Sequence, residues 1–184
     1  MKDLILPPEA EALRSLAAGD EVLLTGDALT MRDAALGRLQ GLVTEGLEPP
    51  FEMEGQLVFY SGPCPPAAGR PCGAIGPTTS ARMDPFMGTL LERGVRATLG
   101  KGPRSEETRL LHQRFGAVYF VTVGGIAALL GGRVEKIEPV AWGDLGPEAV
   151  YRVRLSGFPA VVAIDSTGRD FLAEQHLLYR RTQQ

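Results

Sequence analysis

Apolar runs in this chain are short and are punctuated by glycine, proline and helix-capping residues. After Pro8, "EAEALRSLAA" carries its apolar residues at helical spacing and predicts a short helix. "GD" then turns the chain into the apolar strand "EVLLT", which Gly26 ends. In "TMRDAALGRLQGLV" Thr30 stands three residues before Asp33, a capping-box-like start that places Arg32 in the first turn of a helix. A strand is predicted at "QLVFYSG", followed by an aperiodic loop from Gly62 to Pro77 that holds five prolines.

The second half continues the alternation. "DPFMGTLLERG" predicts a helix capped by Asp84 with Pro85 at its first position, and "VRATLG" a strand. "GKGPRSEETRLLHQRFG" predicts a glycine loop around Lys101 that runs into a helix capped by Ser105, with Glu106 and Glu107 in its first turn. "AVYFVTV" reads as a buried strand. "RVEKIEPVAW", "AVYRVRLSG" and "PAVVAIDSTGRDF" read as further strands, with "STG" a turn before a polar tail. Strands alternating with helices predict an α/β fold with a largely parallel central sheet, flanking helices and extra strands from the late strand-rich stretch. No internal repeat, low-complexity tract or linker interrupts the pattern. Residues 1–184 are expected to form a single domain that buries its core without disulfide or metal staples.

Charge narrows the class of partner. Nineteen basic against twenty-two acidic residues leave a formal charge of -3, so there is no electrostatic case for wrapping nucleic acid or lying on an anionic membrane. The longest apolar run, "AVYFVTVGGIAALLGG", is too short to span a bilayer as a helix and is broken by a glycine pair. "MKDLILPPEA" lacks the apolar stretch of a signal peptide, so the mature chain is expected to start there, in the cytoplasm. The two cysteines, Cys64 and Cys72, have neither a zinc spacing nor a secreted disulfide framework and are expected as reduced thiols.

The glycine loops raise the nucleotide question. "LGKGPRS" fails the P-loop spacing and has Gly102 where the magnesium-binding hydroxyl belongs, and "VGGIAALLGG" misses GxGxxG, which leaves tight turns and close backbone packing as its reading. Lys101, flanked by glycines before a helix start, reads either as an anion-binding lysine or as a solvated loop lysine. Arg32 has similar geometry, with a surface pair to Asp33 or Glu45 as the alternative. Arg82 can close a turn on Asp84, or face a ligand together with Thr78 and Thr79. Three cations at loop-to-helix entries suit a small molecule carrying more than one carboxylate. His112, on a helix, and His176 read as packed or surface residues, without support for a His-based triad. Two cysteines cannot hold a cubane cluster, which needs at least three thiolates, and no metal is expected on this chain.

Taken in order, "LLTGDALTMRDAA", "FYSGPCPP", "GAIGPTTSARMD", "GKG", "VGGIAAL", "LGPEAVYRV" and "FPAVVAIDSTGRDF" resemble the C-terminal domain of class I fumarate hydratases and the β subunit of L-tartrate dehydratase. The resemblance covers almost the whole chain. It implies the swivelling β/β/α fold of these iron-sulfur hydro-lyases, and a separate α subunit whose three cysteines bind a 4Fe-4S cluster with one open iron acting as Lewis acid. Carried over, Arg32, Arg82 and Lys101 would bind substrate carboxylates with Thr79 beside them, and Thr78 would be the base that takes the C3 proton of malate. Asp33 and Asp84 would orient Arg32 and Arg82. Leu36 stands where the family often has histidine, and Ile126 where it often has proline. The expected function is that of the β subunit of a two-subunit fumarate hydratase, with two α and two β subunits. L-tartrate dehydratase, a dicarboxylate-binding or assembly module without catalysis, and a nucleotide-binding reading resting on "GKG" and "GGIAALLGG" stand as alternatives.

Overall fold

The computed structural model describes residues 1–181, and its helices and strands alternate along most of the chain. The strands are β1 (Lys2–Leu6), β2 (Glu21–Thr30), β3 (Leu57–Phe59), β4 (Ala97–Gly100), β5 (Val118–Val121), β6 (Val134–Ala141) and β7 (Val150–Ile164). The helices are α1 (Ala10–Arg14), α2 (Asp33–Thr44), α3 (Met87–Glu92), α4 (Glu106–Phe115), α5 (Ala127–Gly131) and α6 (Phe171–Arg181), joined by 3-10 turns at Ser80–Phe86 and Gly143–Glu148. All seven strands form one sheet in the order β1-β2-β3-β4-β5-β7-β6, and an additional β2–β7 pairing closes β2, β3, β4, β5 and β7 into a ring.

The sheet is mixed. The ladders from β1 through β5 are parallel, while β7 runs antiparallel to β2, β5 and β6. Period-two alternation sorts the side chains. Leu57 and Phe59 join Val22, Leu24, Leu99 and Phe120 in one core, whereas Val58 and Tyr60 pack with Leu36 and Leu39 of α2 and Leu90 and Leu91 of α3 in another. A strand buried on both faces needs no polar alternation, which is why "QLVFY" reads as a continuous apolar run. Among the described residues no helix is long and apolar enough to cross a membrane.

Several expected boundaries move. "KDLIL" is strand β1, paired in parallel with β2. β2 does not end at Gly26 but passes through it, with a register shift between Leu24 and Gly26 against β7. Thr30 is the last residue of that strand, and its hydroxyl accepts from Tyr151 N at 3.2 Å instead of capping α2. Pro85 lies inside a 3-10 turn and α3 begins at Met87, so Asp84 is not a helix cap there.

"AVYRVRLSG" and "PAVVAID" merge into the fifteen-residue β7. Pro159 is tolerated within it because β6 pairs with Val150–Leu155 and β5 with Val161–Ile164, leaving Pro159 only β2 as neighbour. "GGIAALLGG", read as turns, contains α5. The expected polar tail is helix α6 as far as Arg181, and its last residues, 182–184, lie outside the described residues.

Candidate active site

Arg32 stands at the N-cap position of α2 with extended backbone, just after β2 ends. Its Nη2 lies 2.9 Å from Glu148 Oε1, so its partner is neither Asp33 nor Glu45. The other Glu148 oxygen accepts from Ala34 N at 2.9 Å, so one carboxylate fixes both the arginine and the open end of α2. A second tie comes from Arg38, which donates to both carboxylate oxygens of Asp144 at 2.8 and 2.6 Å. Gly62 makes room for this arrangement. A Cβ there would meet Pro147 O at 2.5 Å and Arg32 Nη1 at 3.1 Å. Leu36 is fully buried in the core, so its side chain is not presented to the site.

The segment from Thr78 to Phe86 crosses the ends of β3 and β4. Thr78 N donates to Tyr60 O at 2.8 Å, and Thr79 forms an isolated parallel bridge with Lys101. Ser80 N donates to Lys101 O at 2.9 Å and Lys101 N to Ser80 Oγ at 3.1 Å, so the two loops are laced backbone to backbone and backbone to side chain. Gly100 permits this approach, since a Cβ would lie 2.0 Å from Ser80 Oγ. Arg82 reaches Thr78 Oγ1 at 3.4 Å with Nη1 and Asp33 Oδ2 at 2.7 Å with Nη2. Asp33 therefore faces Arg82 rather than Arg32. Lys101 runs past Gly124, where a Cβ would stand 3.7 Å from its Nζ, and among the described residues its ammonium makes no ion pair.

Asp84 departs from the role of orienting Arg82. Its Oδ1 accepts from Arg104 Nε at 2.5 Å and its Oδ2 from Ser105 N at 2.8 Å, while Ser105 Oγ caps α4 by accepting from Thr108 N at 3.2 Å. The Arg104 side chain is 0% exposed, with its guanidinium 5.3 Å from the Tyr60 ring and 4.9 Å from the Tyr119 ring. Burial pushes the Tyr60 and Tyr119 phenols up. His112 lies fully buried beside them and donates from Nδ1 to Thr108 O, 2.8 Å away. Burial holds its pKa down to about 4, so the ring is neutral near pH 7. His176 is exposed on α6.

Asp33, Arg82, Thr78, Thr79 and Lys101 thus form one run of contacts and sequence neighbours across three loop ends, and Arg32 joins it as the sequence neighbour of Asp33. Two residues that complete it, Glu148 and Arg104, were not among the expected site residues. Glu148 sits in "LGPEAVYRV" and Arg104 in "GKGPRS", so both stood inside stretches already singled out. The patch is open: the Arg82 side chain is 53% exposed and that of Arg32 30%. Cations held by one carboxylate each retain free N–H donors, which suits a small diacid. An apolar cavity of about 390 Å³ lies next to it, lined by Cys64, Cys72, Ile137, Pro139, Pro147 and Tyr151 among others. Both cysteines are free thiols, Cys64 exposed and Cys72 buried, and burial pushes the Cys72 thiol up. The described residues contain no group of three or more His, Cys, Asp or Glu side chains able to hold a metal ion.

The profile of a family described as Fumarase C-terminus matches residues 3–175. "Fumarate hydratase 1, mitochondrial" of Leishmania major is 34% identical over 172 residues, which is 91% of this chain and 31% of that protein. "Fumarate hydratase class I, anaerobic" of Escherichia coli (strain K12) is 35% identical over 82% of this chain and 28% of its own length. The chain therefore spans about a third of these two relatives. Against "L(+)-tartrate dehydratase subunit beta" of Escherichia coli (strain K12) it is 35% identical over 183 residues, covering 97% of this chain and 90% of that one.

Proposed function

The chain belongs to the fumarase C-terminus family of hydro-lyases, and from that premise we propose that it is the β subunit of a two-subunit class I fumarate hydratase, interconverting fumarate and (S)-malate. The observation that carries this reading is Arg82 at 3.4 Å from Thr78 Oγ1, with the Lys101 backbone bridged to the neighbouring Thr79 and Arg32 next in sequence to Asp33, the partner of Arg82. Arg32, Arg82 and Lys101 hold the two substrate carboxylates, and Thr79 borders them. Thr78 takes the C3 proton of malate and returns it to fumarate. A threonine alkoxide is a strong base formed at high cost, and Arg82 donating to its oxygen lowers that cost. Asp33 holds Arg82 and Glu148 holds Arg32, so neither fork has to be ordered when substrate arrives.

The 4Fe-4S cluster of this reading lies on an α partner. The described residues of this chain do not fit such a group, because Cys64 and Cys72 fall short of three thiolates. The open, half-exposed patch agrees with a site finished by another subunit, in an assembly of two α and two β chains. We assign the ring with its flanking helices to the swivelling β/β/α fold, as a single domain.

L-tartrate dehydratase is the second reading, favoured by the near full-length match to a β subunit of that enzyme. One hydroxyl separates the substrates. The deciding test is anaerobic assay of the chain co-expressed with its cysteine-bearing partner against fumarate, malate and L-tartrate. Turnover of fumarate and malate is expected. A complete, iron-loaded complex inert towards both would overturn the fumarate reading, and turnover of L-tartrate alone would replace it. Carboxylate binding by the lone chain, with an inert complex, would favour a module without catalysis.

A further inference from the structure

We propose that the buried Arg104–Asp84 pair is a positioning couple that holds the Lys101 loop in register with the segment carrying Thr78 and Arg82. The inference deepens the substrate-binding reading above and rests on it for its consequence on turnover.

The two segments are fastened at two ends. At the front, Thr79 bridges Lys101, Ser80 N donates to Lys101 O at 2.9 Å, and Lys101 N donates to Ser80 Oγ at 3.1 Å. At the rear, the Asp84 carboxylate takes Arg104 Nε on one oxygen at 2.5 Å and Ser105 N on the other at 2.8 Å. Between these fastenings Tyr119 OH donates to Gly102 O at 2.7 Å. Lys101 makes no ion pair among the described residues and borders a glycine, so no partner side chain holds its ammonium and the backbone of this loop sets where the side chain departs.

Stability alone is a poor reason for the pair. The guanidinium is taken wholly out of water, and Arg104 Nη1 and Nη2 have no hydrogen-bond partner in the structure. Desolvating a charge and leaving donors idle is costly, and an apolar side chain of similar size would fill the slot between Tyr60 and Tyr119 without that cost. What the apolar side chain cannot do is grip a carboxylate in one direction. Arg104 fixes Asp84, and Asp84 fixes the end of the Thr78–Phe86 segment against the start of α4.

The test uses the full chain and three variants: Arg104→Lys, Asp84→Asn, and the double Asp84→Asn/Arg104→Met. Amide hydrogen exchange reads segments 78–86 and 101–105 directly. Arg104→Lys keeps the charge but not the fork, and faster exchange in both segments together is expected. Asp84→Asn keeps an acceptor for Ser105 N and carries the test if Arg104→Lys fails to fold. In the partner-loaded complex each single variant raises KM for the preferred diacid about tenfold to a hundredfold, with a smaller change in kcat. The double variant recovers the denaturation midpoint but neither the exchange protection nor KM. Recovery of all three together would make the pair mere packing and overturn the proposal, as would loosening of 101–105 alone. A wild-type complex inert on both fumarate and L-tartrate counts against the substrate reading instead, and exchange then decides the coupling of the loops by itself.

Discussion

Arg82 and Arg104 flank the same junction, and each is paired with an aspartate, at 2.7 Å to Asp33 and 2.5 Å to Asp84. Solvent separates them: the Arg82 side chain is 53% exposed and that of Arg104 0%. Exposed pairs gain little because water screens them, whereas removing one half of a buried pair leaves an uncompensated charge. The two arginines therefore ask different questions of the molecule. Arg82 is cheap to remove and close to the proposed chemistry; Arg104 is expensive to remove and touches no proposed substrate atom.

The sharpest way to break the comparison is Arg104→Ala. It strands Asp84 and empties the slot between two tyrosines, and a loss of about 3–5 kcal/mol in urea unfolding is expected. A loss under about 1 kcal/mol would mean the slot is wet and the contrast false. Arg82→Ala is expected to change unfolding stability by no more than about 1 kcal/mol. In the assembled enzyme the same change lowers kcat/KM on the order of 10²- to 10³-fold, the size of losing one preorganised charge donor. Near wild-type turnover of Arg82→Ala would remove it from the substrate site.

His112 reports on the buried side of the comparison through pH. Its surroundings are apolar burial first, then Thr108 O, Arg104 and Asp84, with Tyr119 alongside. Its folded pKa of about 4 lies below the ordinary 6.5, so between those values the unfolded chain binds the extra proton. Stability is full above pH 6.5 and falls as pH drops towards 4. At about pH 5 the expected cost is roughly 2 kcal/mol. His112→Gln should flatten that part of the curve of denaturation midpoint against pH, leaving the carboxylate losses at lower pH in place. An unchanged slope would show the ring is hydrated.

Much of this junction was visible along the chain, because the residues that carry it sit where apolar runs give way to glycine, proline and capping residues. The pairings were not. Asp33 adjoins Arg32, so local logic joins them, yet helical geometry turns Asp33 to Arg82 and leaves Arg32 to Glu148. Glu148 lies 114 positions from Ala34, the residue whose amide it takes, and no local pattern reports such a contact. The same holds for β1, a five-residue strand whose partner comes a helix later, and for α6, whose Leu177 and Leu178 stay exposed and give no clean apolar stripe. Burial of Arg104 was hidden because "GKGPRS" looks like a surface loop. Only the folded positions of Tyr60 and Tyr119 show that it closes over them.

Arg32, 30% exposed, stands between the two extremes, and Gly62→Ala probes it without touching the arginine. The added methyl would lie 2.5 Å from Pro147 O and 3.1 Å from Arg32 Nη1, so something must move. The turn Gly143–Glu148 is the softer side, being exposed at Gly143, Asp144 and Pro147. A destabilisation of about 1 kcal/mol is expected, the low end of overpacking costs. Because Glu148 ends that turn and grips Arg32, displacing it shifts the guanidinium, and KM should rise several-fold, on the order of 1 kcal/mol, with kcat nearly constant. Glu148→Gln should raise KM in the same way without the overpacking loss. If Gly62→Ala lowers stability but leaves KM alone, Arg32 is held by something other than this turn.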